Sequence, residues 1–388
     1  MRLCETFPDR HVGGPGNRAA TEYFTARVRE FGFLTRVEEL DCVEWERGAS
    51  SVEIGGDVRP LQTGPYSLPF SGVAPLAAAG SIEELERGEF SDTALLVYGE
   101  LAAEQLMPKN FAFFNPESHR RIIAALERQK PAAIISATGR NPELAGGTYP
   151  FPLIEDGDFD IPTSYVTDVE GEQLRTAVGK PVSVRINSRR IPAQAQHVVA
   201  TRAGRGEGRL VFCAHIDSKD GTPGALDNAT GVAVLLGMAE LLRSYHGEHT
   251  IEIVPFNGED YYAATGQMRY VAENAGRWGE IILACNVDGA GFAGAATEVS
   301  LYGVADDVAG SALEIAGDAG IVEGPQWVQG DHSLFIMNRV PALAVTSADV
   351  FFNVSTVAHT PADRIELVDT ASVAAVSRFF ANLVRVLG

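Results

Sequence analysis

From residue 181 onward the chain alternates short β-rich runs, VSVRIN, HVVATRAG, RLVFCAH, TIEIVPFN and IILACNVD, with segments of helical periodicity. Each run is bounded by polar residues or glycine, the usual punctuation of a strand. After RLVFCAH comes NATGVAVLLGMAELLRSY, whose Val232, Leu235, Leu236, Ala239 and Leu242 fall on one apolar helical face. Strands that are apolar on both faces and separated by helices predict an α/β three-layer sandwich with a mostly parallel central sheet. In such folds ligands bind beyond the carboxyl ends of the strands.

Upstream, residues 17–32 carry Ala20, Tyr23, Phe24, Ala26 and Val28 at helical spacing before Gly32, and LTRVEELDCVEW alternates like a strand with one face in water. Between 46 and 180 the texture changes to frequent Gly and Pro, short apolar runs such as DTALLVYG and PAAIISATG, and one clear helical segment, HRRIIAALERQ. With 388 residues at about 150 per domain, this predicts a catalytic domain from 1–45 and 181–388 around a mostly β insert, 46–180. The acidic stretch LIEDGDFDIP reads as a solvated turn, although its density of oxygen ligands also suits calcium.

A net charge of −20 repels phosphate backbones and anionic lipid alike, and no run of about 18 uninterrupted apolar residues spans a bilayer. Neither nucleic acid nor a membrane is therefore an expected partner. Charges at Glu5, Asp9 and Arg10 interrupt the opening residues where a secretory leader needs an apolar stretch. The expectation is a cytoplasmic chain, or an exported one if a leader precedes it. Cys4, Cys42, Cys213 and Cys285 show no paired spacing and read as buried, inert thiols.

The chemistry-bearing residues gather at strand ends. His215 closes RLVFCAH, Glu259 and Asp260 follow TIEIVPFNG, and Asp288 closes IILACNVD. Asp227 precedes the amphipathic helix and His359 lies in VAHTPADR. Two imidazoles and four carboxylates suit a pair of divalent ions, since zinc takes both donor types and two ions roughly 3.5 to 4 Å apart need a bridging carboxylate. Three ligand carboxylates, two zinc ions and a bridging hydroxide sum to zero charge, leaving Glu259 as an unliganded base. Without metal such a cluster repels itself. His11, His119, His197, His246 and His249 lack such company and read as surface or capping residues.

The segments AHIDSKDGTPGALDNATG, PFNGEDYYAATG, CNVDGAG and AHTPADRIELVD resemble, in order, the landmark blocks of the cocatalytic zinc aminopeptidases. That family includes glutamate carboxypeptidase II, with glutaminyl cyclase and transferrin receptor as divergent relatives. The resemblance covers about 197–388, and PLIEDGDFDIPTSYVTDVEGEQL resembles the closing segment of a protease-associated domain. It implies that His215 and Asp288 hold one zinc, Asp260 and His359 a second, and Asp227 bridges both; manganese and cobalt accept similar donors. Glu259 becomes the general base that takes a proton from the attacking water and returns it to the leaving amine. Asp217 becomes the carboxylate that orients His215. The loop Gly330-Asp331-His332-Ser333 resembles one near the family's specificity pocket, where His332 lines the pocket or serves as a structural hydrogen-bonding group.

Three positions depart from the family pattern. Asp260 stands where a second glutamate is usual, Gly266-Gln267 replaces Gly-Ser, and Ala358 replaces the tyrosine that stabilises an oxyanion. The activity implied is removal of single residues from peptides with a free amino terminus. The alternatives are a glutaminyl cyclase-like acyltransferase, because HIDSK also occurs in that branch, and a binding protein that kept the fold and lost catalysis.

Overall fold

The computed structural model describes residues 2–141, 148–348 and 356–387. Two compact units emerge: one formed by Met1–Cys42 with Gln194–Gly388, the other by Val43–Ala193. In chain order the strands are β1 (Leu34–Arg47), β2 (Ser50–Ile54), β3 (Asp57–Thr63), β4 (Phe70–Ala79), β5 (Ala94–Val97), β6 (Ala133–Thr138), β7 (Thr163–Thr167) and β8 (Pro181–Ile186). There follow β9 (Ser188–Arg202), β10 (Arg209–His215), β11 (Thr250–Phe256), β12 (Ile281–Val287), β13 (Thr297–Tyr302), β14 (Val322–Glu323) and β15 (Ala342–Ser347).

The first unit is built on a sheet ordered β1-β9-β11-β10-β12-β15-β13-β14. Its centre, β11-β10-β12-β15, is parallel. Outside that block β9 runs antiparallel to β11 and β13 antiparallel to β15, while β14 is parallel to β13, so the sheet is mixed around a parallel centre. The central strands are buried apart from the half-buried Thr250 at the start of β11 and the exposed Ile282 near the start of β12, which is what helices on both faces require. Alternate residues point to opposite faces. Leu210, Phe212 and Ala214 join Val232, Leu235, Met238, Phe379 and Phe380 in one core, with Phe212 and Phe380 rings 5.2 Å apart. On the other face Phe256 meets Tyr270 edge-on, and Tyr270 contacts Trp278 and Phe335. The helix Thr230–Leu241 buries Val232, Val234, Leu235, Met238 and Ala239, a wider face than the single stripe expected. The helix Thr370–Leu387 is long and apolar enough to cross a membrane by length and composition, but Val376, Phe379, Phe380, Leu383 and Val384 are buried in this core.

In the second unit β2-β3-β7-β6-β5-β4-β8 close into a barrel. Strands β4 to β7 are mutually parallel, and β2, β3 and β8 complete the ring antiparallel. Helices Ile82–Arg87 and Asp168–Arg175 accompany the expected Glu117–Gln129. The run VSVRIN was expected in the sheet of the catalytic domain. Instead β8 pairs with β2 and β4 inside the barrel, which moves the later boundary from 180/181 to 193/194, while the earlier one falls at 42/43 rather than 45/46.

Three further expectations are corrected by burial. His119 and His197 are buried, not on the surface. LIEDGDFDIP is not a solvated turn, because Phe159 and Asp156 are buried. The Asp156 carboxylate accepts the amides of Lys109 and Asp158, both at 2.8 Å, so the acid is held by backbone donors. The four cysteines are buried.

Candidate metal centre

Strands β11, β10 and β12 are adjacent and parallel, so their carboxyl ends share one edge. His215 is the last residue of β10, Asp288 follows β12 directly, and Glu259 and Asp260 lie just beyond β11. Asp227 sits in the turn Ala225–Ala229 that leads into the helix Thr230–Leu241. Its backbone is non-helical, and the Asp227–Asn228 peptide is cis. The Asn228 side chain fixes this turn, with Nδ2 donating to the Val287 carbonyl and Oδ1 accepting from the Gly231 amide, both at 2.9 Å.

Asp227 is the hub. Its Oδ1 lies 3.0 Å from His215 Nε2, which is 3.6 Å from Asp288 Oδ2. Its Oδ2 lies 3.1 Å from His359 Nε2, which is also 3.1 Å from Asp260 Oδ1. One carboxylate thus faces two imidazoles, each accompanied by a further aspartate. Donor atoms of His215, Asp227 and Asp260 lie within 4.8 Å of one another.

The electrostatics follow from that crowding. Burial works against charge on His215, but the Asp288 and Asp227 carboxylates outweigh it and hold the imidazole well above its ordinary range. Burial likewise opposes charge on His359, and Asp260 and Asp227 reverse it. Asp227, penalised by burial, is drawn well below the usual carboxylate range by the two imidazoles. Burial pushes Asp288 up. Glu259 is pushed well above its usual value, first by burial; His215 opposes this, and the carboxylates of Asp260, Asp288 and Asp331 add to it.

The donor set fits zinc. His215 Nε2 and Asp260 Oδ2 are buried without a hydrogen bond, an arrangement that is costly unless something else satisfies them. Imidazole nitrogen and carboxylate oxygen are ligands that zinc accepts. Asp217 behaves differently from its expected part. Its carboxylate stands 3.8 Å from His215 Nδ1, which instead lies 3.2 Å from the Asp217 carbonyl oxygen. The carboxylate accepts the amides of Gly258, Glu259 and Asp260 at 2.8, 3.3 and 3.0 Å. Asp217 therefore shapes the loop that carries Glu259 and Asp260.

Comparison with known proteins finds likenesses for the segment that carries this edge. Residues 197–384 match peptidase family M28. The match covers just under half of the chain. Over 267 residues the chain is 29% identical to a probable lipoprotein aminopeptidase of Mycobacterium tuberculosis, covering 68% of this chain. It spans about half of that protein's length, 51%. An aminopeptidase from Aneurinibacillus sp. superposes with a TM-score of 0.78 at 18% identity, over 99% of this chain and 92% of that one. A zinc aminopeptidase from Bacillus subtilis gives 0.74 at 18%, over 100% and 92%. These two are likenesses of fold.

Two carboxylates had no role assigned from the sequence. Asp363, inside HTPADR, accepts the Leu226 amide at 2.7 Å and the Asp227 amide at 3.0 Å. Burial raises it to about 6. Its proximity to His359 in the motif was the available signal. Asp331 accepts from Gln267 Nε2 at 2.9 Å, and burial raises it to about 7. His332 is fully buried between Trp327 and Tyr302, with Nε2 3.0 Å from the Trp327 carbonyl, which favours the structural reading of that residue. Ala358 is buried.

Proposed function

We propose that the protein is a zinc-dependent aminopeptidase with a dinuclear centre, taking peptides with a free amino terminus. The observation that carries this reading is Asp227, each of whose oxygens faces a different imidazole at about 3 Å. His215 and Asp288 would hold one ion, His359 and Asp260 the other, with Asp227 shared. Zinc bound there supplies Lewis acidity toward a scissile carbonyl and acidifies water.

The chain's own residues do the rest. Glu259 accepts the proton of the attacking water and returns it to the leaving amine, a task suited to a carboxylate raised toward the working pH. Asp217 fixes the loop bearing that base through its three amide contacts, and Asp363 fixes the backbone of Asp227. Acidic residues near the metals would hold the substrate's ammonium group. The barrel unit is read as a protease-associated domain, supported by the resemblance of residues 152–174.

Mass spectrometry of free, N-acetylated and N-terminal Gln peptides after incubation with zinc-loaded protein tests this. Stepwise loss of one residue from unblocked peptides alone is expected, with Glu259→Gln slower by about 10²- to 10⁴-fold. Loss of ammonia from the Gln peptide would move the assignment to a cyclase. Unchanged masses with zinc bound would overturn it.

A further inference from the structure

Arg10 lies more than two hundred residues from the metal-ligand motifs, yet it is 0% exposed. Its guanidinium fans out to backbone carbonyls. Nε donates to Ile216 at 3.0 Å, Nη1 to Pro223 at 2.9 Å and Phe7 at 3.3 Å, and Nη2 to Gly224 at 2.7 Å. The main chain continues the clasp. The Arg10 amide donates to Ser218 Oγ at 3.3 Å, and the Ser218 amide donates to the Arg10 carbonyl at 3.4 Å.

The carbonyls it holds are specific to the proposed centre. Ile216 and Ser218 follow His215, while Pro223 and Gly224 come just before Asp227. One side chain therefore spans the two loops whose ligands meet at 3.0 Å. The third loop is tied in through Asn17, which donates to the Arg10 carbonyl at 2.9 Å and to Asn257 Oδ1 at 2.7 Å. Asn257 returns a bond to Asn17 Oδ1 at 3.0 Å, and it precedes Gly258, Glu259 and Asp260. Gly224 is pressed against the clasp: at φ +53, a Cβ there would stand 2.8 Å from Arg10 Nη2 and 2.5 Å from the Asp227 carbonyl. Favourable interaction with the carboxylates of Asp217, Asp363 and Asp227 opposes the cost of burying the cation.

We infer that Arg10 is a positioning residue for the metal centre, setting the separation of the His215 and Asp227 loops from an N-terminal segment that supplies no ligand itself. This rests on the dinuclear reading above. A planar fork can satisfy carbonyls on several sides at once, whereas a lysine ammonium, a single point of charge, cannot span them.

The test is zinc affinity by competition with a chromogenic chelator, alongside thermal unfolding in excess EDTA. Arg10→Gln and Arg10→Lys are compared with Leu3→Ala, which loosens the same N-terminal segment but leaves the clasp. The Arg10 variants are expected to bind zinc about 10- to 100-fold more weakly. Leu3→Ala keeps wild-type affinity even where its metal-free melting falls as far. Equal zinc affinity in Arg10 and Leu3 variants of matched stability would overturn the inference. Should neither Arg10 variant fold, Ser218→Ala decides, removing one bond and no buried charge: several-fold weaker zinc at unchanged melting supports the clasp, and unchanged zinc affinity refutes it. Wild-type protein that binds no zinc would sink the dinuclear reading instead, a separate outcome.

Discussion

At the scale of single residues, the proposed ligand set rests on acceptors that were harder to see than the ligands. His215, Asp260 and Asp288 were legible because each lies at or just beyond the end of an apolar run, a local signature that periodicity exposes. Asp217 was legible only as an acid near a histidine, and its work turned out to lie with three amides forty residues away. Arg10 carried no local signal, since the carbonyls of Ile216, Pro223 and Gly224 that it holds are more than two hundred residues distant. Asp363 offers the cleanest test. Its two oxygens each accept one amide, from Leu226 and Asp227. An asparagine keeps one acceptor and turns an NH₂ toward the other donor, leaving a buried amide unsatisfied. Asp363→Asn should therefore cost about 1 to 3 kcal/mol of unfolding free energy, read by urea titration in EDTA, and it should weaken zinc binding as Asp227 shifts.

Among elements, the order β11-β10-β12 does the most, because parallel neighbours deliver their following residues to one edge. The existence of these strands was plain in the sequence, but their partners were not. VSVRIN alternates buried and exposed positions, and a period of two says that one face is covered without saying by which sheet. The closed barrel was illegible for that reason. The helix Asp168–Arg175 could have been found, since Thr167 and Glu170 form a capping box, but eight residues give too few turns for apolar periodicity to register. The turn before the helix Thr230–Leu241 makes its own demand. A Cβ on Gly231 would lie 2.4 Å from Asn228 Oδ1 and 2.6 Å from the Val287 carbonyl, where the helix start abuts β12. Gly231→Ala should destabilise by about 1 to 3 kcal/mol through overpacking. Chemical denaturation measures that cost, and zinc titration of the same variant should show weakened binding because Asn228 and Asp227 move together.

For the whole molecule, stability couples to metal and to protons. A ligand that binds only the folded chain adds about 2.7 kcal/mol per site at a hundredfold excess over its Kd. Melting should therefore rise with zinc and fall with EDTA, and a melting temperature indifferent to both would contradict a metal bound by the native fold alone. Protons act separately through His332. Burial lowers its imidazole to about 4, with only the Trp327 carbonyl opposing, whereas an unfolded histidine titrates near 6.5. Between those values the unfolded chain binds more protons than the folded one, so stability rises with pH. The contribution is complete above about 6.5 and is lost as pH falls toward about 4. Asp331, raised to about 7, and Asp363, raised to about 6, work in the opposite sense: the folded chain holds their protons longer, and they favour it less as pH rises. A bare acid-unfolding curve mixes these signs, and the useful quantity is a difference between variants. In EDTA, the destabilisation caused by His332→Gln should be about 2 kcal/mol smaller at pH 5 than at pH 7.5, because at pH 5 the wild-type chain already bears the cost of keeping that imidazole neutral. A penalty equal at both pH values would mean that His332 titrates alike in the folded and unfolded chains.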